Sequence, residues 1–90
     1  MFGLNYHPNA FLNSKKNIKP GLVARTKLLV VLQDQTSKTT KLSKKAQLSY
    51  SVALYHLHLL ETENIVRHKG KRRYRWDLTG AGQQRLIATL

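Results

Sequence analysis

The sequence contains no cysteine, which excludes disulfides, thiolate chemistry and cysteine-ligated zinc together. Acidic residues are nearly as scarce: Asp34, Glu61, Glu63 and Asp77 are the full set. Glu61 and Glu63 stand two apart, a spacing that separates them on a helix, so no carboxylate pair is available for acid–base work. No nucleophile–base pair or phosphate-cradling glycine loop takes its place, and an enzyme is not expected. Long apolar runs are missing too. The longest, Leu28 to Leu32, is far too short to span a bilayer, and the first twenty residues hold no apolar stretch of the signal-peptide kind.

What is abundant is positive charge. Sixteen Lys and Arg against four acidic residues give a formal net charge of +12 on 90 residues. Such an excess repels itself in a compact state, and a polyanion would relieve it by neutralising side chains and releasing counterions. The basic residues do not line an amphipathic helix, so a membrane surface is not the expected partner. Apolar residues make up 41% of the chain, enough for one small domain with a thin core.

Residues 1–20 read as a basic N-terminal arm and 21–90 as the domain. The arm has no sustained period, although Phe2, Leu4, Tyr6, Phe11 and Leu12 are available to dock on a core or a partner, and Lys15, Lys16 and Lys19 make its second half basic. Pro20 suits the first turn of a helix over Leu22 to Gln35. Leu28, Val31, Leu32 and Gln35 fall at helical spacing, Ala24 and Leu28 lie one turn apart, and the run 28–32 is apolar nearly all round, as in a helix buried on two sides. The polar stretch 34–39 has room for a very short strand. A second helix, capped by Thr39 or Thr40, runs to about Ala46. After a turn at Gln47-Leu48, Ser49 caps a third helix, Tyr50 to Glu63, with Ala53, Leu57 and Leu60 as its core stripe and Asn64 as a left-handed stop. Ile65 to Arg67 reads as a strand, 68–72 as a basic loop turning at Gly70, and Arg73 to Leu78 as a strand with Tyr74, Trp76 and Leu78 on one face. Thr79 is placed to cap a last helix with Leu86, Ile87 and Leu90 on one apolar face.

The stretch from Leu42 to Gly82 resembles the DNA-binding region of bacterial and archaeal regulators of the ArsR and MarR kinds. The matching residues are Leu48-Ser49, Tyr55-His56-Leu57, Leu60-Glu61, Ile65-Val66 and Leu78-Thr79, and the likeness extends over roughly Leu22 to Leu90. It implies an α+β winged helix-turn-helix: a three-helix core, a two-stranded β wing and a C-terminal helix. Gln47 and Asn64 stand where such proteins usually have Gly, and Leu54 and Leu59 where polar residues are common. The resemblance also makes His56 a structural residue at the core edge. His56 and His58 are two apart on one helix, which serves a shared metal ion poorly, and no metal or other cofactor is expected.

A duplex major groove, about 12 Å wide, admits one helix, and the third helix is the candidate. Opposite its core stripe lie Tyr50, Ser51, Leu54, Tyr55 and His58. Ser49 and the helix N-terminus suit a phosphate. Lys41, Lys44 and Lys45, together with Lys38, surround the second helix, and the wing contributes Lys69, Lys71, Arg72, Arg73 and Arg75, with Arg67 beside them. No Arg, Asn or Gln lies on the outward helix face, so strong bidentate base reading is missing and weak or shape-based sequence specificity is expected. The resulting expectation is a double-stranded DNA binder acting as a transcription regulator or chromatin-type protein, cytoplasmic and nucleoid-associated. It would be a homodimer through its first and last helices. RNA binding, or protein interaction within a larger complex, is the alternative.

Overall fold

Pro20 fixes the backbone within the first turn of α1, which spans Lys19–Asp34 in the computed structural model of this protein. The structure describes residues 6–13, 17–71 and 74–80. After a short 3-10 turn at Pro8–Ala10 and α1, the chain forms β1 (Ser37–Lys38), α2 (Thr39–Lys45), α3 (Tyr50–Thr62), β2 (Val66–Lys69) and β3 (Arg75–Leu78). The three strands make one antiparallel sheet in the order β1-β3-β2. Leu86, Ile87 and Leu90, the apolar face expected of a last helix, lie outside the described residues, as do Phe2, Leu4, Lys15, Lys16, Arg72 and Arg73.

The core is built where α1 and α2 meet α3. Leu28, Leu29, Leu42, Ala53, Leu57 and Leu60 are fully buried, and Trp76 closes the core from the sheet side. The stripe read from α3 is thus correct in all three positions. α1 starts three residues earlier than its periodicity suggests, and its faces differ from the expectation. Leu29 is buried, Val31 is only half-buried and Val30 is half exposed. The reason is the arm. His7 donates its backbone N–H to Thr26 Oγ1 at 3.1 Å and its ring meets the Gln33 amide at 2.6 Å, so residues 7–12 cover the strip of α1 on which Leu29 sits. Ala10 and Leu12 join the core, while Phe11 stays largely exposed.

Neither Thr39 nor Thr40 caps α2. The cap position is Lys38, without a side-chain bond, and the Thr39 hydroxyl instead accepts from the Trp76 indole at 2.8 Å. The turn from α2 to α3 is sharp. Leu48 N–H returns to Ser43 O at 2.8 Å, and Gln47 sits at φ 58°, the left-handed region that explains why glycine is usual there. Ser49 caps α3 as expected, accepting from Val52 N–H at 3.2 Å. Asn64 ends the segment at φ 61°.

The hairpin is shifted outward relative to its sequence reading. β2 runs on to Lys69 because His68 pairs with Trp76 and Lys69 with Arg75. Val66, His68 and Trp76 face inward, while Arg67, Lys69 and Arg75 face solvent, where opposed cations remain hydrated. β1 adds a third strand by pairing Ser37 with Trp76 and Lys38 with Arg75.

Candidate nucleic-acid interface

α3 presents Ser51, Tyr55, His58 and Thr62 at i, i+4, i+7 and i+11, and all four are exposed. Tyr50, at the first turn, is half exposed, and Tyr55 is 59% exposed in the centre of the row. Lys41, Lys44 and Lys45 are exposed on α2, and Lys69, Lys71 and Arg75 on the wing. The outward face of α3 and these cations together make up the expected contact set. Ser49 is exposed too; its oxygen accepts in the helix cap, which leaves its O–H able to donate. Leu54 is half-buried against the core, as is Leu59, so both spend apolar surface inside the protein. Leu54 therefore offers less to a groove than its wheel position suggests. Arg67 is likewise engaged: its Nε donates to Asp77 Oδ1 across the hairpin at 3.1 Å. Arg72 and Arg73 lie outside the described residues.

The crease between α3 and the wing holds a polar cluster that the sequence hid. Glu61 accepts from His58 Nδ1 at 3.2 Å through one oxygen and from His68 Nδ1 through the other. The His68 ring lies tilted against Tyr74 at 4.0 Å, and His58 meets Trp76 edge-on at 5.4 Å. This stack joins β2 and β3 to the outer side of α3. The signal in the sequence was the inward parity of His68 with Trp76, visible only once the register is known.

On the other flank of α3, His56 meets a second missed residue. Arg25 is 3% exposed. Its Nε donates to Ala10 O at 2.6 Å, its Nη2 to Asn17 Oδ1 at 3.2 Å and its Nη1 to His56 Nδ1 at 3.3 Å. Burial pulls the Arg25 pKa below the usual guanidinium value, while Glu63 and Tyr55 act in the opposite direction. Burial, and then the Arg25 charge, hold His56 below the ordinary imidazole value. An arginine breaking the apolar face Gly21, Leu28, Leu32 was the available sequence signal. Gly21 belongs to the same device, since a Cβ there would stand 2.8 Å from Arg25 Nη1.

No family model matches the sequence, and no curated protein matches it. Solved structures do. The homodimeric winged helix-turn-helix DNA-binding domain of a possible ArsR-family transcriptional regulator from Mycobacterium bovis superposes with a TM-score of 0.64 at 18% identity, covering 73% of this chain and 62% of that one. Lactococcus lactis ZitR in complex with DNA gives 0.65 at 22% identity, over 98% of this chain and 64% of that one. The Zalpha domain of Carassius auratus PKZ in complex with Z-DNA gives 0.56 at 24% identity, over 63% of this chain and 92% of that one. The fold is a winged helix-turn-helix. In this winged helix, α2 and α3 are the helix-turn-helix and β2–β3 the wing, while the chain spans under two thirds of the length of the Mycobacterium bovis and Lactococcus lactis structures. Among the described residues, no helix is long and apolar enough to cross a membrane.

Proposed function

We propose that this winged helix binds a nucleic-acid duplex, DNA in the first place, with the outer face of α3 in the major groove and the wing and α2 lysines on the flanking phosphates. The observation that carries this reading is spatial. α3 packs against both α2 and β2, and Ser51, Tyr55 and His58 on α3, the α2 lysines and the wing lysines are all exposed, on a chain with a net charge of +12. Tyr50 and Tyr55 reach phosphate or stack, Ser51 exchanges a hydrogen bond at a base edge, and Lys41, Lys44, Lys45, Lys69, Lys71, Arg72, Arg73 and Arg75 neutralise backbone charge. Two structural neighbours are in complex with DNA, one of them with Z-DNA, which supports DNA as the ligand class. With no Arg, Asn or Gln on the row, affinities for unrelated sequences differ by less than about a thousandfold. That profile suits a chromatin-type protein or a regulator of low selectivity, working where DNA is, in the cytoplasm at the nucleoid.

The protein acts as a homodimer in this reading, with α1 and the residues around Leu86, Ile87 and Leu90 at the seam. Val30, a large apolar side chain half exposed on α1, supports that placement. Two-fold symmetry would set two α3 helices about 34 Å apart, in successive major grooves. The test is fluorescence anisotropy across a salt series with B-form DNA, Z-form DNA and double-stranded RNA of equal length, run beside light scattering. Tighter binding to RNA than to both DNA forms would replace DNA with RNA as the ligand, and absence of salt-dependent binding to any duplex would overturn the reading.

A further inference from the structure

A cleft of about 540 Å³ opens between the arm and the start of α1 on one side and the second flank of α3 on the other. That volume lies within the range of small-molecule sites. Leu12, Ile18, Val52 and Leu59 make its walls apolar, and Ile18 and Val52 stand at 57% and 41% exposure. Arg25, His56 and Tyr55 also line it.

The polar end is built for an anion. The Arg25 guanidinium is buried, yet its three bonds go to uncharged acceptors: a carbonyl, an amide oxygen and a neutral imidazole. No ion pair within 4.0 Å joins Arg25 to a carboxylate among the described residues. A guanidinium carries five N–H groups, so these bonds leave it donor capacity to spare. Because His56 Nδ1 accepts from Arg25, the ring hydrogen sits on Nε2, a further donor beside the cleft. Glu63 acts on this cation from beyond ion-pair distance, so a desolvated guanidinium with no direct carboxylate partner is still costly, and an incoming anion would offset that cost. A cationic ligand would be repelled, and an anion without an apolar body would leave the apolar walls unfilled.

We propose that this cleft binds a small amphipathic carboxylate, an aliphatic or aromatic monocarboxylic acid whose apolar body lies between Ile18, Val52 and Leu59 and whose carboxylate meets Arg25. The ligand bridges the arm and α3, so its occupancy braces the helix that carries the exposed row. Tyr55 lines the cleft and also belongs to the exposed row, so the site adjoins the proposed duplex face, but its test needs no nucleic acid.

The experiment is a titration of the full-length ¹⁵N-labelled chain, followed by amide chemical shifts, with hexanoate and benzoate against their neutral isosteres hexanamide and benzamide. Saturable shifts at Ile18, Val52, Tyr55 and Leu59 are expected with the carboxylates, and binding at least about tenfold weaker with the amides. Equal affinity for acid and amide overturns the proposal, as does the absence of saturable shifts at those four residues. Arg25→Gln should erase the preference for the acid. Since Arg25 also holds the arm, Val52→Trp provides the second variant: it fills the mouth of the cleft, leaves the guanidinium in place and should abolish carboxylate binding with the circular dichroism spectrum unchanged. A folded Val52→Trp protein that binds hexanoate as the parent does would equally overturn it.

Discussion

The indole nitrogen of Trp76 donates to the hydroxyl of Thr39 at 2.8 Å, tying the last strand of the wing to the first residue of α2 across 37 positions. Both residues are buried, so the bond has no water to replace it. Thr39→Val strands the indole N–H and should cost about 1–3 kcal/mol of stability. Trp76→Phe removes the donor and some packing volume, and the double variant should lose less than the sum of the two. Urea unfolding followed by circular dichroism reads all three. Strict additivity would show that the pair does not act as a unit.

Gln47 holds φ 58° in the turn between α2 and α3, a conformation that costs a residue with a Cβ about 1–2 kcal/mol. Glycine relieves it but loses more entropy on folding, which returns part of the gain. Gln47→Gly should therefore raise stability by about 0.5–1 kcal/mol. Asn64→Gly should gain less, because Asn tolerates φ 61° better. An unchanged or lowered urea midpoint for Gln47→Gly would contradict this account of the turn.

Burial lowers the pKa of both His7 and His56. His7 Nδ1 accepts from Asn9 N–H at 3.0 Å, and its Nε2 lies 2.6 Å from the Gln33 amide nitrogen. A proton added to either ring would meet a donor already in place. The folded state thus binds protons less readily than the unfolded chain, whose histidines titrate near pH 6.5. Stability is full above that pH and falls as the pH drops below it towards the lowered folded values. Urea midpoints between pH 8 and 5.5 should decline on the acid side, and His7→Gln with His56→Gln should flatten the decline. A flat profile for the parent chain would be the failing result.

The wing cations should act on every duplex alike. Neutralising Arg72 and Arg73 together is expected to weaken binding to all sequences and to reduce the salt slope by about 0.9 for each phosphate no longer neutralised. Arg67→Ala should change the slope far less, because Arg67 already faces Asp77 across the hairpin. Equal effects of the Arg67 and Arg72/Arg73 changes in anisotropy titrations would mean that only total charge matters.

Gly21→Ala should destabilise by about 1–2 kcal/mol although alanine is the better helix former. The new Cβ would stand 2.8 Å from Arg25 Nη1 and dislodge a guanidinium that holds Ala10, Asn17 and His56. A raised melting temperature would show that Arg25 can move aside without loss.

The residues alone determined whatever depends on local period and turn chemistry. The core stripe Ala53, Leu57, Leu60, the Ser49 cap, the left-handed stop at Asn64 and the alternation around Trp76 rest on neighbours within one or two turns of chain. Only the tertiary structure decided the rest. Thr39 could have capped α2, but a buried indole 37 residues away took its hydroxyl. Leu29 is covered because the arm folds back on α1, and β2 extends to Lys69 because β3 supplies its partner. Arg25 and His56, 31 positions apart, meet at 3.3 Å on the wall of a cleft no period could reveal. Periodicity tells a side chain which way to face, while its partner is set by the free energy of burying polar groups together, and that depends on the whole fold.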